Sequence, residues 1–159
     1  MPGAVDRAAP QQGKLTYPLL SLSPGTTTSF ALDEFRCKCG CRLVRVPLEF
    51  LFFLQHLQNL RDYFNPDEFV RKPCTIVSGF RCATHNTNVG GAEDSAHLRG
   101  LAADITIKGI TPAEVAIVAA SKPEFFGPGG VGLYPTFTHV DVMYWGKLRR
   151  WGTPSGWWM

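Results

Sequence analysis

The sequence predicts an α+β domain, a small antiparallel sheet flanked by helices, and three observations carry that reading. Residues 46–64, VPLEFLFFLQHLQNLRDYF, repeat apolar side chains at spacings of three and four, the period of a helix with one buried face. Residues 111–121, TPAEVAIVAAS, open with Thr111, Pro112 and Glu114, a capping box with proline in the first turn. Between and after these helices lie short β-rich runs: 74–80 (CTIVSGF), 103–108 (ADITIK), 129–134 (GGVGLY) and 138–145 (THVDVMYW). The expected order is helix, strand, long loop, strand, helix, strand, strand. Helices mixed with a small sheet in this way give an α+β fold.

Taken in order, residues 1–29 are rich in Pro, Gly, Ser and Thr and read as an extended or flexible N-terminal arm. Residues 30–159 are expected to form one domain, because 159 residues suit a single core and no internal repeat interrupts them. In the first helix Phe50, Leu54, Leu57, Leu60 and Phe64 form the buried stripe. Pro47 is expected in its first turn, and Asn65-Pro66 ends it. His56 is read as a packing or surface residue. The alternation in 103–108 predicts a half-buried strand with Asp104 at its start.

Composition excludes several classes. With 45% apolar and 18% charged residues the chain is an ordinary globular protein. A net charge of +3 is mild, and only KLRR at 147–150 clusters cations, so no nucleic-acid partner is expected. No run approaches the ~18 apolar residues of a membrane span, so no membrane insertion is expected. The N-terminus has no apolar core of a signal peptide. That predicts cytoplasmic synthesis, with access to any substrate outside the cytoplasm through lysis or delivery in a virion. Five cysteines are an odd number. CKCGC at 37–41 does not follow the C-x2-C pattern of a zinc knuckle. Free buried thiols are the default, with a second structural metal as the alternative. Trp145, Trp151, Trp157 and Trp158 lie near the C-terminus. They suit sugar stacking, core closure or contact with a partner chain.

The chemistry concentrates in SAHLRGLAAD, residues 95–104. His97 and Asp104 have six residues between them, with Gly100 to permit a bend and Ala102 and Ala103 to keep the strand start slim. His139, on a later strand, is the third candidate ligand. Two histidines and an aspartate leave the fourth position of a tetrahedral ion open, as in catalytic zinc sites. Alternatives from spacing alone are a surface His97, a turn-capping Asp104 and a core His139. Arg81 ends SGFR, and its guanidinium fork suits a carboxylate or a developing oxyanion; a surface strand-end arginine is the other reading. Ser95, two residues before His97, either binds substrate or orders the loop.

SGFR, N-x-x-VGGA from Asn86, S-x-H-x-x-G-x-A-x-D from Ser95 and F-x-H-V-D-V from Phe137 resemble the M15 family of zinc peptidases. That family includes D-alanyl-D-alanine carboxypeptidases and phage L-alanyl-D-glutamate endolysins. The resemblance runs from about Phe35 to Trp145, and F-x-C-x-C-G-C from Phe35 is similar to one branch. It implies Zn2+ held by His97, Asp104 and His139, an active-site role for Arg81, and hydrolysis of amide bonds in peptidoglycan stem peptides. Family members often carry an acid three residues before the last histidine, or a histidine two before it. Those positions here are Thr136 and Phe137. Asp141, on the same strand face as His139, is then a candidate catalytic residue, as base or as an acceptor that orients a ligand. His85, Glu93 and Asp94 are alternative acid-base groups. The rival reading is a non-catalytic zinc-bearing module, such as a virion or wall-binding component. In either case the N-terminal arm or the C-terminal tryptophans are the expected sites of virion or partner-chain contact.

Overall fold

The computed structural model describes residues 21–23, 26–67, 69–126, 129–143 and 147–152. Most of the expected N-terminal arm, and Trp145, Trp157 and Trp158, lie outside them. β1 (Ser21–Ser23) pairs antiparallel with β2 (Thr26–Thr27). Thr28, Ser29 and Phe30 then dock on the first helix: Ser29 N–H donates to Gln58 Oε1 at 2.7 Å, and Thr28 and Phe30 are buried. A short 3-10 turn, Leu32–Phe35, follows.

α1 spans Phe50–Tyr63, with Phe50, Leu54, Leu57 and Leu60 buried as the spacing predicts. Phe53 joins them, and Phe64 packs against the same core. Pro47 stands before the helix, its carbonyl accepting from Phe50 N–H at 3.0 Å. Proline closes the entering turn here and does not sit in the first helical turn. His56 is buried, its ring centroid 4.2 Å from Phe52, so it is a packing residue.

β3 (Cys74–Ser78) leads into α2 (Ala83–Asn88) and α3 (Ala96–Arg99), then β4 (Ala102–Ile107). The segment expected as one long loop therefore holds two short helices. Each has a local cap: Cys82 Sγ accepts from His85 N–H at 3.4 Å, and Ser95 Oγ accepts from His97 N–H at 3.3 Å. Neither helix is long enough to show an apolar period, so periodicity missed both. α4 (Pro112–Ser121) starts at Thr111 with the expected capping box. α5 (Pro123–Phe126), β5 (Gly130–Leu133), β6 (Thr138–Asp141) and β7 (Arg149–Trp151) complete the described chain.

The five-stranded sheet has the order β3-β4-β6-β5-β7. All its pairs are antiparallel except β5 with β7. β7 was not expected; KLRR reads as surface charge, yet Arg149 and Arg150 belong to an edge strand, and Arg150 donates to Ala120 O at 2.8 Å. Alternate residues take opposite faces. Ala103, Ile105, Ile107, Val131, Leu133 and Val140 are buried in the core with α1 and α4. Asp104, His139 and Asp141 occupy the other face and are also buried. The strand at 102–107 is thus covered on both sides, not half-buried as its alternation suggests. Among the described residues no helix is long and apolar enough to cross a membrane.

Candidate metal centre

The sheet register assembles the site in one row. Asp104 of β4 lies opposite Ser78 of β3 on one side and His139 of β6 on the other. His139 lies opposite Gly132 of β5, and Gly132 opposite Trp151 of β7. His97 enters from above this row, on the single turn of α3. Gly100, at φ 73°, ends that turn in the left-handed conformation, which glycine adopts without a Cβ penalty. The bend expected at Gly100 is therefore where the chain returns from His97 to β4.

His97 Nε2, His139 Nδ1 and Asp104 Oδ1 converge, each pair 3.0–3.1 Å apart. The outward nitrogen of each ring has its own acceptor. His97 Nδ1 lies 2.6 Å from Gly79 O, and His139 Nε2 lies 3.1 Å from Asp141 Oδ2. A carbonyl oxygen only accepts, so His97 Nδ1 carries the proton and its Nε2 presents a lone pair. With His139 donating to Asp141, its Nδ1 does the same. Two imidazole lone pairs and a carboxylate oxygen then face one point, an arrangement that a cation stabilises and its absence does not. Ligand atoms about 2.0–2.1 Å from a tetrahedral ion stand about 3.3 Å apart, close to the spacing found. The donor set fits a metal with one position left open.

Burial and charge tune these groups. Burial lowers the pKa of His97 against the opposing pull of Asp104, which keeps the ring neutral. Burial also acts to lower His139, but the facing Asp104 and Asp141 carboxylates outweigh it and raise the ring. Asp104 meets the desolvation that would raise its pKa, yet the His139 and His97 rings packed against it hold its carboxyl well below the usual range. Arg81 Nη2 donates to Asp104 Oδ2, and Arg81 Nε donates to Ser78 Oγ at 3.0 Å. Arg81 is anchored in turn by its own N–H, which donates to His97 O at 3.1 Å. The structure thus brings Arg81, Ser95, His97, Asp104, His139 and Asp141 to one cleft of about 630 Å³. His85 and Asp94 also line it; Glu93 is exposed and does not. Thr136 is exposed and lies outside the lining, while Phe137 is part of it and stacks on Tyr134 with centroids 4.5 Å apart.

Three features of the site escape sequence reasoning. The Gly79 carbonyl, which sets the His97 tautomer, is backbone and has no side-chain signal. Trp151 lies beside His139 with ring centroids 5.0 Å apart and donates from Nε1 to Tyr134 Oη at 3.0 Å. Gly130 and Gly132 make room for that indole: a Cβ on Gly132 would stand 2.6 Å from its ring, and one on Gly130 2.3 Å from Asp141 Oδ2. The G-x-G in a predicted strand was the available signal for such a close approach.

The family model of Peptidase M15 matches residues 28–141, which span His97, Asp104, His139 and the residues that orient them. The chain is 40% identical over 86 residues to the zinc D-Ala-D-Ala carboxypeptidase of Streptomyces albus G, a stretch covering 53% of this chain and 32% of that protein. It is 35% identical over 88 residues to the peptidoglycan L,D-endopeptidase MepK of Escherichia coli strain K12, covering 51% of this chain and 44% of the relative. A probable MepK of Haemophilus influenzae is 36% identical over 83 residues, covering 48% and 41%. The matched stretch spans less than half the length of each relative. With most of its length matched and the two histidines and aspartate converging on one point, the chain belongs to the Peptidase M15 family.

Proposed function

We propose that the protein is a zinc peptidase that hydrolyses an amide bond in peptidoglycan stem peptides, as a D,D-carboxypeptidase or an endopeptidase. The observation that carries this reading is the convergence of His97 Nε2, His139 Nδ1 and Asp104 Oδ1 at the floor of an open cleft. The peptidoglycan substrate rests on the names of the relatives. Zinc held by His97, Asp104 and His139 supplies Lewis acidity toward water and toward an amide carbonyl. The chain's own residues do the rest. Asp141 accepts from His139 Nε2 and from Met143 N–H at 2.9 Å, so it holds the ring in the tautomer that presents Nδ1. Its carboxylate is committed to orientation, and we assign it that role in preference to general base. Arg81 holds Asp104 and, with donors beyond its bonds to Ser78 and Asp104, takes a substrate carboxylate or the developing oxyanion. Ser95 orders the turn of His97 and lends its hydroxyl to substrate from the cleft wall. His85 and Asp94, also on that wall, are the groups to which the proton transfer falls.

In the same reading the protein reaches the wall on lysis or with a virion, as an endolysin does. Cell-wall digestion tests the central claim. Purified peptidoglycan is incubated with zinc-loaded protein, with and without chelator, and the products are identified by mass spectrometry. Released D-alanine indicates a carboxypeptidase, and new termini within the stem an endopeptidase. Absence of any product from several wall chemotypes, with zinc bound in the cleft, overturns the reading and leaves a non-catalytic zinc-bearing module. Adding the protein to intact cells and to lysed cells tests the delivery route: digestion only after lysis supports it.

A further inference from the structure

A second group of metal-ligating side chains lies outside the cleft floor. Cys37, Cys39, Cys41 and Cys82 each offer a sulfur, and all four lie within 4.8 Å of one another. Cys39 Sγ is 3.4 Å from Cys37, 3.1 Å from Cys41 and 3.7 Å from Cys82. Sulfurs bound about 2.3 Å from one tetrahedral ion stand about 3.8 Å apart, whereas a disulfide requires about 2.05 Å. Three backbone N–H groups donate to these sulfurs: Cys82 N–H to Cys37 at 3.4 Å, His85 N–H to Cys82 at 3.4 Å and Cys41 N–H to Cys39 at 3.5 Å. Donors aimed at sulfur favour the thiolate, the form that binds metal.

The backbone is shaped to gather them. The run from Cys37 to Cys41 turns back on itself, with Cys37 N–H donating to Leu43 O at 2.7 Å. Arg42 holds φ at 54°, the one non-glycine with positive φ among the described residues, a conformation that non-glycine residues rarely adopt. Cys82 arrives from the far end of β3, 45 residues beyond Cys37 in sequence. The fifth cysteine, Cys74, pairs in register with Ile107 at the other end of β3 and takes no part.

We propose that Cys37, Cys39, Cys41 and Cys82 form a second metal site, structural and closed, that binds one zinc ion through four thiolates. Four sulfurs fill the coordination sphere, leaving no open position for substrate. Loading converts each thiol to thiolate and releases its proton to solvent. The site ties the cysteine loop to the turn that feeds the catalytic cleft. Gly79 is pressed against the Phe35 backbone, Phe80 N–H donates to Phe35 O at 2.8 Å, and Arg81 is bonded to Cys82. Its role is therefore positional, holding the Gly79 carbonyl and Arg81 in place against His97 and Asp104.

Zinc content and zinc K-edge absorption of the full chain, purified under reducing conditions, test this without any activity measurement. The expected result is two zinc ions per wild-type chain. A D104A/H139A variant is expected to keep one, with only sulfur at about 2.3 Å. A C39S/C82S variant is expected to keep one, with a nitrogen and oxygen shell. If that variant fails to fold, the wild-type chain and D104A/H139A still decide. An all nitrogen and oxygen shell in the wild-type chain overturns the site, as does D104A/H139A without zinc. Disulfides among the four cysteines in freshly purified protein, mapped without reduction, also overturn it. The cleft reading is judged separately by wall digestion, so either can fail alone.

Discussion

Two clusters of ligating side chains flank the turn at Gly79–Cys82, and they are held by different means. The histidine and aspartate centre hangs on the sheet. Asp104 and His139 face each other across the β4–β6 ladder, so backbone register sets their spacing whether or not an ion is present. The cysteine cluster hangs on a loop and a helix cap, and only Cys82 adjoins regular structure. Strand register preorganises an open site, where a free position must be kept for chemistry. Loops bring four sulfurs together cheaply, but the ion itself must then supply the cross-link.

Four measurements break or sharpen that contrast. The largest effect is expected from Asp104→Ala, which removes a proposed zinc ligand and leaves Arg81 facing two histidines. Peptide release from peptidoglycan should fall by about three orders of magnitude, since a catalytic metal contributes several kcal/mol to the transition state. Circular dichroism should show the fold retained, because the ladder does not depend on the ion. A collapse of the fold would put the centre in the same class as the thiol cluster. Next is Asp141→Asn. The amide can still reach His139 but is a weaker acceptor, and zinc affinity or activity should drop by about 10- to 100-fold. An unchanged zinc affinity would return Asp141 to the role of acid or base.

Gly132→Ala comes third. The new methyl meets the Trp151 ring, and such overpacking costs about 1–3 kcal/mol. Thermal melting should register this, and G132A/W151A should recover part of the loss. A melting temperature equal to wild type would mean that the Trp151 indole is not seated against Gly132. The smallest effect is expected from Cys74→Ser. Cys74 lies at the start of β3, paired with Ile107, and its sulfur is not among the four that cluster beyond the other end of that strand. Metal content of the C74S chain should equal that of wild type. A lost equivalent would show that the fifth cysteine belongs to a metal site after all.

Much of this was legible beforehand, for particular reasons. The α1 stripe was readable because Phe50, Leu54, Leu57 and Leu60 face one core at helical spacing. α4 was readable because Thr111 and Glu114 act locally, their capping bonds spanning three residues. α2 and α3 were not, since helices of six and four residues have too few turns for a period. β7 was missed because an exposed edge strand need not alternate; its Arg149 and Arg150 are both exposed.

The chain by itself determined which residue types were available for metal chemistry and the order in which they occur. It also determined the two helices whose signals are local, because caps and apolar stripes act over a few residues. The tertiary structure decided what is non-local. It set which nitrogen of each histidine faces inward, through Gly79 O and Asp141. It gave Trp151 a seat over two glycines. It brought Cys82 to a run of three cysteines that, alone, lacks a fourth ligand. Each of these depends on strand register and turn geometry across distant segments, and neither is encoded in the spacing of neighbouring residues.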